Sequence, residues 1–129
     1  MIENRQFYID GAWVDPTTPN DFPVIDPSTE ETCATISLGG QADTDKAVAA
    51  ARAAFDDWSQ TDLAERKALI GRILTAYNDR AEDMAKAISL EMGAPIDYAR
   101  AAQVGAGSWH IEGFLNVFDD IEWERPLGA

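Results

Sequence analysis

The pentapeptide Glu91-Met92-Gly93-Ala94-Pro95 constrains this chain more than any other stretch. It stands between two segments with helical periodicity. Glycine adopts the left-handed conformation that caps a helix end, and proline, with its fixed φ, suits the first turn of a new one. The pattern predicts one helix ending near residue 92 and another running from Pro95 to about Ile121. At 1.5 Å per residue the second would be roughly 40 Å long. It is rich in small residues: Ala99, Ala101, Ala102, Gly105, Ala106, Gly107 and Gly113. Glycine inside a helix costs about 1 kcal/mol relative to alanine, so this density implies that a neighbour comes close to the backbone.

Three shorter helices are expected upstream, over about 42–58, 62–78 and 79–92. In the first, Ala47, Val48, Ala51, Ala54, Phe55 and Trp58 recur at helical spacing. In the second, Leu63, Ile70, Ile73, Leu74 and Tyr77 share a face with Arg66, and Thr61 is the expected N-cap. Arg66 reads as an ion-paired structural residue. The third carries Ala81, Met84, Ala85, Ile88 and then Glu91 in register. The first forty residues read as extended, with two hairpins within 7–36. Asp10-Gly11, flanked by Phe7-Tyr8-Ile9 and Ala12-Trp13-Val14, is a strong two-residue turn signal. A second turn starts at Asp26-Pro27, between Phe22–Ile25 and Cys33–Ile36.

Length and charge bound the function. A chain of 129 residues suits one domain with a modest core. Its net charge is −13, from 23 acidic and 10 basic residues. That argues against nucleic acid and anionic membranes as partners, since both select basic surfaces. One cysteine, Cys33, excludes an internal disulfide and suits a reducing compartment. No apolar run approaches 18 residues and the N-terminus lacks the apolar core of a signal peptide, so a cytoplasmic location is expected.

Few residues offer chemistry. Cys33, within Glu31-Thr32-Cys33-Ala34-Thr35, has no basic neighbour in sequence to activate it and reads as structural. His110 is the only histidine and reads as a helix-face residue, because a zinc site needs further ligands beside it. Neither phosphate-cradling glycine pattern is present; Gly105-Ala106-Gly107 lies inside a helix and follows no strand. Glu91 differs from these. It continues the apolar stripe of Met84 and Ile88 near a helix C-terminus, where a carboxylate meets the negative end of the macrodipole. A charge on a buried stripe needs a partner. That partner is either a basic side chain or a hard cation with oxygen ligands.

The ordered set of motifs resembles the NAD(P)-dependent aldehyde dehydrogenase family. Glu91-Met92-Gly93-Ala94-Pro95 is similar to the family's Glu-x-Gly-Lys-Pro segment, and Asp10-Gly11-Ala12-Trp13-Val14 to its first hairpin. Asp26-Pro27-Ser28-Thr29 resembles its Asn-Pro-Ser/Thr-Thr turn, Ala47–Phe55 its first helix, and Arg125-Pro126-Leu127-Gly128 the segment before its catalytic core. The resemblance covers nearly the whole chain but only about the first quarter of such an enzyme.

That resemblance implies an α/β fold, the Rossmann-like cofactor domain. Residues 1–121 would be its mostly helical outer part with two short N-terminal hairpins, and 122–129 the start of a β extension used in homodimer or homotetramer assembly. It implies oxidation of an aldehyde to an acid with NAD or NADP as cofactor, through a catalytic cysteine in a segment that lies beyond Gly128. No catalytic or cofactor-binding residue is therefore expected here, and the 129 residues alone should be inactive. The resemblance also favours a monovalent cation, Na⁺ or K⁺, between Glu91 and the carbonyl of Val24. It places Ala102, Ala106, Trp109 and Gly113, which share one helix face, along the aldehyde entrance tunnel; close helix packing is the competing reading. The competing class for the whole chain is a non-enzymatic, acidic helical interaction module.

Overall fold

A computed structural model describes residues 2–128. The chain forms two compact units. One comprises the residues up to Thr61 together with Ala87–Ala94, the other Asp62–Lys86 together with the residues from Pro95 onward.

The first unit begins with five strands: β1 (Ile2–Asn4), β2 (Phe7–Ile9), β3 (Ala12–Val14), β4 (Asp21–Asp26) and β5 (Glu31–Ser37). β2 and β3 form an antiparallel hairpin that pairs Tyr8 with Trp13. Asp10 and Gly11 both have positive φ, +54° and +76°, which is the two-residue turn whose twist matches the strands it joins. The Tyr8 and Trp13 rings meet edge to face at 5.3 Å. β4 and β5 are antiparallel as the second turn signal requires, but the sheet has a third member. β1 pairs in parallel with β5, giving the order β1-β5-β4. The second hairpin thus gains a parallel member that the sequence did not signal: Ile2-Glu3-Asn4 is too short to show a period, and a parallel partner is chosen by tertiary proximity. Pro23, which cannot donate to a ladder, lies in the edge strand β4.

A bulge between Val24 and Ile25 shifts the register, so Val24 faces Ala34 and Ile25 faces Thr32. Cys33 is the residue skipped, and its thiol donates to the Val24 carbonyl at 3.4 Å. The turn after β4 is closed by Asp26. Its carboxylate accepts from the Ser28 amide at 2.8 Å and from the Ser28 hydroxyl, and its carbonyl accepts from the Glu30 amide at 2.8 Å.

Helix α1 (Gln41–Ser59) starts at Gly40, and its third residue, Asp43, organises the start. The Asp43 carboxylate accepts from the Gly40 amide at 3.0 Å, the Thr17 amide at 2.8 Å and the Thr17 hydroxyl at 2.6 Å. Lys46 donates to the same Thr17 hydroxyl oxygen at 2.8 Å. This ties the loop after β3 to the helix N-terminus. The stripe expected to pack lies open instead: Val48, Phe55 and Trp58 are about half exposed.

The second unit contains α2 (Leu63–Asp79), the first half of α3 (Ala81–Met92), α4 (Ile96–Tyr98) and α5 (Val104–Val117). The N-cap of α2 is Asp62 rather than Thr61. The Asp62 carboxylate accepts from the amide of Glu65, the third helical residue, at 2.7 Å, as an N-cap side chain does. The expected single helix from Pro95 to Ile121 is interrupted. Pro95 stands one residue ahead of it, α4 is one turn, Ala99–Gln103 is π-helical, α5 is regular, and Phe118–Asp120 is a 3₁₀ turn. Residues 121–128 form neither helix nor strand. The apolar side of α5 carries Val104, Ile111 and Leu115, continued by Phe118; Val104 and Phe118 are each 4% exposed. Trp123 closes the end, its indole donating to the Phe118 carbonyl at 3.2 Å.

The close neighbour implied by the small residues of α5 exists at one position. The Tyr77 hydroxyl donates to the Val104 carbonyl at 2.8 Å. In doing so the ring crosses Gly107, where a Cβ would lie 2.4 Å from the tyrosine oxygen. Gly105 and Gly113 face open space.

Candidate functional site

The residues singled out for chemistry fall into two groups, one in each unit. In the first unit, Val24 is half-buried at the bulge and its carbonyl accepts a hydrogen bond from the Cys33 thiol. Glu91 lies one residue before the end of α3 and is exposed. This corrects the premise that it sits on a buried stripe. The sheltered side of α3 runs through Ala81, Ala85, Ile88 and Ser89, whereas Met84 is 42% exposed. Exposure removes the physical demand for a partner, so only the resemblance still links Glu91 to a cation.

The end of α3 is built firmly. Gly93 has φ +70°, and its amide donates to the Ser89 carbonyl at 3.1 Å. The Ser89 hydroxyl in turn donates to the Ala94 carbonyl at 2.8 Å. Such a left-handed cap satisfies carbonyls that a helix end leaves open. It also places Gly93 against Pro27, in the turn that follows β4.

In the second unit, Ala102, Ala106, Trp109 and Gly113 are all exposed, Trp109 at 70%. They form one side of the helix, opposite Val104 and Phe118. His110 is exposed as well, its ring 5.3 Å from that of Trp109. The result is a broad, shallow face with one large aromatic and no acid–base pair on it.

Several polar contacts were not anticipated from the sequence. Arg100 makes a forked pair with Glu82 at 2.9 and 2.8 Å and reaches Asp97 at 3.2 Å, while Lys86 stands 3.7 Å from Glu82. The hydrogen bonds from Arg100 lower the pKa of Glu82, and those to Glu82 raise that of Arg100. These groups are open to solvent, where such pairs contribute little to stability. Asp43 is held below the ordinary carboxylate value by the hydroxyl and amide of Thr17 and the amide of Gly40. Asp26 is lowered by the Ser28 hydroxyl and amide. The Gly40-x-x-Asp43 spacing was a readable signal for the first of these carboxylates, since an acidic residue at that position returns a bond to the cap.

Among the described residues, no three His, Cys, Asp or Glu side chains converge as metal ligands. Two shallow grooves lie away from the named residues. One runs between Tyr8–Gly11 and the alanines of α1, the other between Leu63, Lys67, Phe118 and Trp123. No helix among the described residues is long and apolar enough to cross a membrane.

Comparison with known proteins gives this arrangement a context. The model of the aldehyde dehydrogenase family matches residues 13–126. A 3-succinoylsemialdehyde-pyridine dehydrogenase from a Pseudomonas species is 40% identical over 130 residues, covering 100% of this chain and 27% of the relative. The crystal structure of an aldehyde dehydrogenase from Bartonella henselae superposes with a TM-score of 0.96 at 50% identity, covering 100% of this chain and 27% of that one. An aldehyde dehydrogenase C mutant from Pseudomonas syringae, solved with NAD⁺ and octanal, matches with a TM-score of 0.91 at 44% identity, covering 96% of this chain and 26% of that one. The chain thus spans about 27% of the length of the relatives it matches.

Proposed function

Since the chain belongs to the aldehyde dehydrogenase family, with its α/β fold, we propose that these residues form the N-terminal part of an enzyme that oxidises an aldehyde to a carboxylic acid. The single observation that carries this reading is the superposition over the whole chain at a TM-score of 0.96 and 50% identity. The cofactor NAD(P)⁺ would accept the hydride. The complete protein would work in the cytoplasm as a homodimer or homotetramer.

Within that enzyme this chain would shape access rather than perform bond chemistry. Its one thiol, Cys33, is spent on the Val24 carbonyl at the bulge. The exposed face of Ala102, Ala106, Trp109 and Gly113 would line the aldehyde entrance, where small residues leave room and the indole supplies an apolar wall. The Glu91 carboxylate and the Val24 carbonyl are hard oxygen donors in one unit and would hold Na⁺ or K⁺. With no nucleophile or cofactor site of its own, the 129-residue chain would be inactive.

The test is a chimera in which this chain replaces the matching part of the 40%-identical Pseudomonas dehydrogenase. The folded chimera should reduce NAD⁺ or NADP⁺ with an aldehyde, and the 129-residue chain should not. Turnover by the isolated chain that Cys33→Ser abolishes would overturn the proposal. So would a folded, cofactor-binding chimera with no activity.

A further inference from the structure

The π-helical stretch Ala99–Gln103 has a cause that lies in the order of two adjacent residues. Helical residues four apart share a face and residues five apart do not. Counting back from Val104, which is 4% exposed, an uninterrupted α-helix would place Arg100 on the packed side and Ala99 off it. The structure has the reverse. Ala99 is fully buried, and Arg100 is exposed with its guanidinium forked onto Glu82. The exchange is made by the π turn. The Val104 amide donates to the Ala99 carbonyl, five residues back, so the turn holds one residue more than an α turn. One residue is about 100° of helical rotation. That is enough to bring the alanine in and carry the arginine out.

The arrangement is anchored on both sides of the inserted residue. Ahead of it, Arg100 is tied to Glu82 and Asp97. Behind it, Tyr77 holds the Val104 carbonyl at 2.8 Å, a contact that requires Gly107 beneath the ring. The π turn also has a local cost. The Gln103 side-chain oxygen is buried there with no hydrogen-bond partner, and a buried acceptor left open is unfavourable.

We propose that Ala99–Gln103 is a one-residue register insert, which decides that Ala99 rather than Arg100 meets the packed side of the helix that continues into α5. The insert is then removable. Deleting Ala101, exposed and small, would make Ala99 the i−4 acceptor of the Val104 amide. The turn would become ordinary α-helix, with Ala99, Val104 and everything beyond keeping their phase.

Thermal unfolding of the 129-residue chain with Ala101 deleted is the experiment. The control deletes Glu112, an exposed residue between Ile111 and Leu115 in a regular part of α5. The Ala101 deletion should shift Tm by no more than about 5 °C, and the Glu112 deletion should lower it by more than about 15 °C or prevent folding. Amide exchange gives a second reading: Val104 should stay protected when Ala101 is removed. Equal losses of Tm in the two deletions, failure of the Ala101 deletion to fold, or an unprotected Val104 amide in it would overturn the proposal.

Discussion

Gly93 and Pro27 meet so closely that a Cβ on Gly93 would lie 2.8 Å from the proline Cγ. The contact joins the C-terminus of α3 to the turn between β4 and β5, which are far apart in sequence. Gly93 is also held at φ +70°. Two separate reasons therefore demand glycine, one conformational and one steric.

Gly93→Ala should accordingly be among the more damaging single changes. A non-glycine residue in the left-handed region costs roughly 1–2 kcal/mol, and displacing the proline ring adds to it. We expect a loss of about 2–3 kcal/mol, read as a lower urea midpoint with an unchanged slope. Adding Pro27→Ala should recover the steric part and leave the conformational part. A loss below about 0.5 kcal/mol would show that this junction is not held as described.

Tyr77 and Gly107 offer a test in which the sign changes. With the ring in place, Gly107→Ala pushes against the tyrosine and should destabilise by about 1–3 kcal/mol, as overpacking does. With Tyr77→Ala the obstacle is gone. Alanine at 107 should then stabilise the helix by up to about 1 kcal/mol through its propensity. A double-mutant cycle measures both, and a Gly107→Ala effect of the same sign in both backgrounds would contradict the geometry.

Acid stability should report on Asp43. Its folded pKa lies below the ordinary value of 3.8, chiefly through the Thr17 hydroxyl, with the Thr17 and Gly40 amides adding to it. A depressed carboxylate contributes stability that is fully present above its unfolded pKa and is lost as pH falls through the folded one. Asp26 and Glu82, also lowered, act in the same direction. Tm should thus change little between about pH 7 and pH 5 and fall below about pH 4. Asp43→Asn should unfold earlier at neutral pH yet lose less between about pH 5 and pH 3. An acid slope that Asp43→Asn leaves unchanged would show that this carboxylate is not a source of it.

The entrance reading of the α5 face is tested in a complete enzyme carrying this chain. Ala106 is exposed on the side that bears Trp109. Ala106→Trp should raise KM for a bulky aldehyde by about 10-fold or more and leave acetaldehyde within about 2-fold, since pocket bulk discriminates by substrate size on this scale. An equal effect on both aldehydes would assign the face to packing.

Much of this architecture was legible because it rests on local chemistry. Asp10-Gly11 specifies its turn through two positive φ angles, and Gly93 specifies a helix end through the one conformation that other residues avoid. The series of short motifs identified the family. What stayed hidden depends on partners distant in the chain. One exception is local: the α2 cap fell to Asp62 rather than Thr61, its carboxylate accepting from the Glu65 amide three residues on. Strand β1 found a parallel partner more than thirty residues away. Glu91 proved exposed because α3 turns Ala85 and Ile88 inward instead. The π turn shows the division most plainly. The sequence places Arg100 four residues before Val104, but periodicity alone cannot tell whether a helix tolerates that charge or changes its pitch to avoid it. In the structure Glu82 and Tyr77, brought alongside by tertiary packing, hold the second outcome in place. Dihedral preferences act between chain neighbours and so can be read along a sequence, whereas burial and hydrogen-bond partnership exist only once distant segments are side by side.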